Sequence, residues 1–197
     1  MQEQPTTSTQ ATAGAHYAFK PSLIGAAHQF ELTDAGLSWR LAGRSGVWPY
    51  TDISAIRLSY RPVTLQADRF RADIQHGRAR ITVVSTSWQT AALMASQNQG
   101  YRAFILELHH RMAAAGSKAA LSGGLGPNLY AAGLTLVVLL AIGMAGLFVR
   151  ALVTGEFSGA LFLLAFAALF GWQIGGFLRR NRPLAYTFTD IPQRLLP

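Results

Sequence analysis

Arginines cluster between positions 57 and 80: Arg57, Arg61, Arg69, Arg71, Arg78 and Arg80. Apolar residues alternate with them, so a strand conformation sends most of them to one outward face. Three successive strands would share that face. A set of guanidinium groups there would be drawn to an anionic lipid surface, by roughly 1 kcal/mol per arginine close to the headgroups. Arg57, Arg69, Arg71 and Arg80 are the candidate lipid-facing residues. Asp68 and Asp73 are interleaved with them and offer the plainer alternative, a solvated face of ion pairs.

Other reactive side chains form no catalytic pattern. His109 and His110 are adjacent, and neighbours on a helix point about 100° apart, so one metal ion would not take both. His16, His28 and His76 have no ligand spacing. Ser85, Thr86 and Ser87 in "VVSTSW" have no base placed by motif. There is no cysteine, which excludes thiol catalysis, disulfides and cysteine metal sites. The reading is of no enzyme, no catalytic residue, no metal and no cofactor.

The chain carries 197 residues and a net charge of +8. Such a charge suits nucleic acid or the negative face of a bilayer. The distribution decides for the bilayer. Between Asn128 and Leu178 the only charged residues are Arg150 and Glu156. Nucleic acid is not an expected partner. Residues 129–149 and 160–178 are each long enough to span about 30 Å of hydrocarbon. Tyr130 and Trp172 lie near span ends, where amphipathic rings favour the interface. Gly171 and Gly175 make a small-xxx-small step that lets helices approach closely. It serves packing within the hairpin or a homo-oligomer. Lys118 before the first span, and Arg179, Arg180 and Arg182 after the second, put both termini in the cytoplasm.

The elements that must position the arginines are legible from period. Phe30 and Leu32 lead into "TDAG", where Asp34 and Gly36 turn the chain. Leu37, Trp39 and Leu41 return on the same face, pairing Leu32 with Leu37 and Phe30 with Trp39. "AGRSG" turns again, and Trp48 to Tyr60 reads as one strand with an irregular start at Pro49. In "RFRADIQHGRARITVVS", a turn at His76-Gly77 pairs Ile74 with Ala79, Ala72 with Ile81, Phe70 with Val83 and Asp73 with Arg80. Tyr101, Phe104, Ile105, Leu108 and Met112 follow helical spacing until Gly116. Residues 1–15, rich in Thr, Gln, Ala and Ser and with no signal-peptide pattern, are expected to be disordered. The expected divisions are a domain at 16–117, a flexible linker at 118–127, a transmembrane hairpin at 128–180 and a cytoplasmic tail at 181–197.

Antiparallel strands closed by one amphipathic helix form an α+β domain, a bent sheet or small barrel capped by its C-terminal helix. The segments "WPYTDISAIRLSY" and "YRAFILELHHRM", with the hairpin between them, resemble the bacterial pleckstrin-homology-like domains. Short bacterial membrane proteins join such a domain to a two-helix hairpin, and "RNRPLAYTFTDIPQRLLP" looks like their ends. The resemblance implies an interaction module at the inner membrane, scaffolding or sensing through a protein partner. The alternative is an accessory subunit that docks in a larger membrane complex through its hairpin. Lipid-binding relatives carry basic residues in the loop between the first two strands. Read as that loop, "TDAG" offers Asp34 and no Lys or Arg, so headgroup binding by that route is not implied.

Overall fold

The computed structural model describes residues 15–62, 68–89 and 94–197. The expected disorder of residues 1–15 lies almost wholly outside them. The first sheet runs in chain order, β1 (His16–Phe19), β2 (His28–Thr33), β3 (Gly36–Leu41) and β4 (Arg44–Trp48), all antiparallel. Alternate residues Tyr17, Phe19, Phe30, Leu32, Leu37, Trp39 and Trp48 are buried, as period two requires when one face meets a core. Phe30 pairs with Trp39 and Leu32 with Leu37, as expected.

Trp48 to Tyr60 is not one strand. β4 ends at Trp48, because Pro49 has no N–H to give a ladder. The Pro49 carbonyl instead accepts the Asp52 N–H at 3.0 Å, closing a turn. Then comes β5 (Ala55–Pro62), followed by β6 (Asp68–His76), β7 (Ala79–Val84), β8 (Thr86–Trp88) and β9 (Met94–Ser96). The β6–β7 turn is Gly77-Arg78, not His76-Gly77, with His76 opposite Ala79. Gly77 has φ +57°, which a two-residue hairpin asks of its first central residue. The register therefore moves by two: Asp73 faces Thr82 rather than Arg80, and Ile74 faces Ile81. A slip of two keeps every side chain on its face: Phe70, Ala72, Ile74, Ile81 and Val83 are buried, while Ala79 is exposed.

Helix α1 (Asn98–Ala114) buries Tyr101, Phe104, Ile105, Leu108 and Met112. Phe104 meets Tyr17 and Phe30 at ring separations of 5.7 and 6.2 Å. Offset and tilted aromatic pairs of this kind add to area burial. So α1 closes the core of the first sheet.

The segment expected as a linker is partly strand. β10 (Ala120–Gly123) runs parallel to β5 on the edge opposite β6. Helices α2 (Pro127–Val153) and α3 (Phe157–Arg180) follow, joined by residues 154–156. They are longer than expected because they continue past Arg150 and begin before Ala160. Then β11 (Leu184–Ala185) pairs antiparallel with β10, and a single 3₁₀ turn (Gln193–Leu195) ends the chain's structure. The second sheet thus has the order β11-β10-β5-β6-β7. The class is α+β with mostly antiparallel sheets, and among the described residues no sheet closes on itself.

Two compact units result: residues up to Gly123 together with Leu184–Pro197, and Gly124–Pro183. The helical pair is an insertion. Leu184–Pro197, within the segment expected as a cytoplasmic tail, belongs to the first unit, with Leu195 fully buried and Leu196 nearly so. Both helices are long and apolar enough to cross a membrane. Within α2 no residue is buried, and within α3 only Ala160. A soluble core hairpin would hide such side chains; here they face outward, which suits a lipid solvent.

Candidate functional site

The outward face of β5, β6 and β7 carries the candidate arginines, and the structure divides them. Arg57 and Arg80 are exposed. Arg57 Nε donates a long bond to Ser122 Oγ, at 3.4 Å. Arg71 and Asp73, two apart on β6, lie on the same face. Arg71 Nη2 donates to Asp73 Oδ1 at 2.7 Å and its Nε to Oδ2 at 3.0 Å. Thr82 Oγ1, directly across on β7, donates to Oδ1 at 2.6 Å. Asp73 is only 8% exposed, so its charge is held by this network rather than by water.

Arg69 is also engaged. Its Nε donates to Thr86 Oγ1 at 2.9 Å and its Nη2 to the Met94 sulfur at 3.2 Å. Burial, with the Arg71 charge nearby, pulls its pKa down. The four arginines share a face but not a state: two are presented to solvent, and two fasten strands together.

The hydroxyl run is structural. Ser85 Oγ accepts the Phe70 N–H and Ser87 Oγ the Lys20 N–H, each at 3.0 Å. Among the described residues, no hydrogen bond joins any of these hydroxyls to a His, Asp or Glu side chain. His109 is fully buried while His110 is exposed, so the two cannot share a metal. His109 Nδ1–H donates to the Ile105 carbonyl at 2.7 Å, leaving Nε2 to accept from the Tyr186 hydroxyl at 3.0 Å. Burial lowers its pKa against that carbonyl's opposing pull. Among the described residues, no group of three or more His, Asp or Glu could hold a metal.

One surface escaped the sequence reading. Because β1 precedes the strand at Phe30, the first inter-strand loop is residues 20–27, "KPSLIGAA", and not "TDAG". It carries Lys20, and Ile24 at its tip is 92% exposed. The alternation of Tyr17 and Phe19 in "HYAF" was the available signal for β1. Four residues are too short a run for period to be read against a polar lead.

Within the second unit, α2 and α3 line an apolar groove of about 560 Å³. Gly171 and Gly175 lie on it, beside Met144, Phe148 and Phe170. A Cβ at either glycine would meet nothing within 4 Å. The small-xxx-small step thus lies exposed along the groove, with open space where a side chain would stand. At the neck, the Leu125 N–H donates to the Asn181 carbonyl at 2.9 Å.

No protein-family model, no curated protein and no solved structure matches the chain.

Proposed function

We propose that the protein is a membrane-anchored interaction module, a pleckstrin-homology-like domain held at the cytoplasmic face of a bacterial inner membrane by its two-helix hairpin. The observation that carries this is the insertion. The hairpin leaves the domain after β10 and returns as β11, and Gly123 is paired with Leu184. An anchor built this way has both ends on one side, so an even number of crossings is required. Lys118 and Arg182 flank those ends, and the positive-inside rule puts that side in the cytoplasm. The partner is a protein or the anionic lipid surface itself, met by Lys20, Ile24, Arg57 and Arg80. Labelling a single cysteine placed at Gly155 from each side of sealed vesicles tests the orientation. Labelling from the cytoplasmic side would reject it.

A second reading is an accessory subunit docking through the hairpin. It is favoured by the open groove beside Gly171 and Gly175, which a neighbouring helix would fill. Gly175→Leu should then shift the native complex to smaller size; an unchanged size removes this reading.

A further inference from the structure

Residues 184–197 follow the second apolar helix, yet they complete the first unit. β11 adds to β10 through the pairs Ser122 with Ala185 and Gly123 with Leu184. The Tyr186 N–H then bonds the Leu121 carbonyl at 3.2 Å. Tyr186 and Phe188 flank His109, the first through its hydroxyl and the second edge-on at 6.0 Å between rings. Two helical turns earlier, Arg102 Nη2 donates to Gln193 Oε1 at 2.6 Å and its Nη1 to the Pro197 carbonyl at 3.0 Å. Leu195 and Leu196 fill the space beneath. The tail is therefore fastened along one face of α1 and to the edge of β10.

This attachment is small. Its strand has two residues, far fewer than a stable edge needs alone. Only residues 181–183 separate α3 from β11, and only 124–126 separate β10 from α2. Short links of this kind keep an intramolecular partner at high effective concentration. The two helices, by contrast, enclose an open groove between them.

We propose that residues 184–197 are a releasable latch, docked on α1 and β10 only while the two ends of the helical pair are held together. Separation of α2 from α3 undocks the tail and uncovers the β10 edge, the Leu195–Leu196 trough and His109. The membrane reading supplies the setting in which the helices would be moved; the docking itself does not depend on it.

The full-length chain tests this. It has no cysteine, so Ser122→Cys with Ala185→Cys introduces the only thiols. These residues form the non-hydrogen-bonded pair, since the adjacent pair carries the Tyr186–Leu121 bond. Their Cα atoms should lie about 4.5 Å apart, within disulfide reach. Mild oxidation of membranes should remove both thiols together, read by maleimide labelling. A protease site in the 154–156 connector is then cut after folding, so the cut and the intact protein fold as the same chain. In detergent, the cut protein should lose cross-linking by about tenfold or more, as the tether's effective concentration disappears. Undiminished cross-linking after cleavage would overturn the latch, and so would failure of the intact protein to cross-link. Alkaline extraction of the same membranes reports on membrane integration separately.

Discussion

Gly124 and Asn181 meet at the neck of the helical pair: a Cβ on Gly124 would lie 2.4 Å from the Asn181 carbonyl oxygen. The same oxygen accepts the Leu125 N–H. Gly124 also has φ +80°, a conformation that costs other residues about 1–3 kcal/mol. Gly124→Ala should therefore lower stability by at least that range, read as thermal unfolding in detergent. Gly143→Ala is the control, since its Cβ would meet no atom within 4 Å and alanine favours helix. Equal effects at the two positions would refute the neck as a constraint.

The insertion can be removed. Gly123 and Leu184 are antiparallel partners, so Asn-Gly in place of residues 124–183 supplies a hairpin turn. This shortened chain should be soluble and unfold cooperatively. A fragment of residues 16–117 should not, because it lacks β10, the neighbour of β5 in the second sheet. Circular dichroism melting compares the two; a stable fragment and an aggregated shortened chain would reverse the conclusion.

The His109 contact gives stability a pH dependence. Burial holds its native pKa below the ordinary 6.5. Below about that pH the unfolded chain takes up a proton that the native state refuses, so stability falls as the solution is acidified. It is fully present above the unfolded value. The Tyr186 hydroxyl is the titratable group bonded to His109, and burial keeps that phenol protonated well beyond this range. His109→Gln in the shortened chain should flatten the decline between about pH 7 and pH 5. His28, also lowered by burial, remains in both proteins and cancels in the comparison.

The arginines should separate by function. Arg57→Gln with Arg80→Gln should weaken salt-sensitive sedimentation of the shortened chain with anionic vesicles, leaving its melting temperature nearly unchanged. Arg71→Gln should do the reverse, since it leaves the buried Asp73 carboxylate with Thr82 as its remaining partner. Breaking one side of such a pair costs about 3–5 kcal/mol when fully buried; the partial exposure of Arg71 places this one below that range. Vesicle binding lost equally in both variants would show that the face acts as one patch.

The sequence by itself determined the local elements. Alternation placed Phe30 opposite Trp39, helical spacing marked the buried face of α1, and two uncharged runs marked the apolar helices. These patterns arise from neighbours in the chain, where side-chain direction follows backbone period. Turn position was less legible. Shifting the β6–β7 turn by one residue moves the register by two and preserves every face, so hydrophobicity could not distinguish Asp73–Arg80 from Asp73–Thr82. Only the tertiary structure decided that "AALSGG" is a strand beside β5 and that "PLAY" returns to pair with it. Such short polar or mixed segments become strands because an edge is waiting for them: Ser122 pairs with Arg57, 65 positions before it, and with Ala185, 63 positions after it. Long-range pairing of this kind leaves no period in the sequence, because its free energy comes from the partner rather than from the segment.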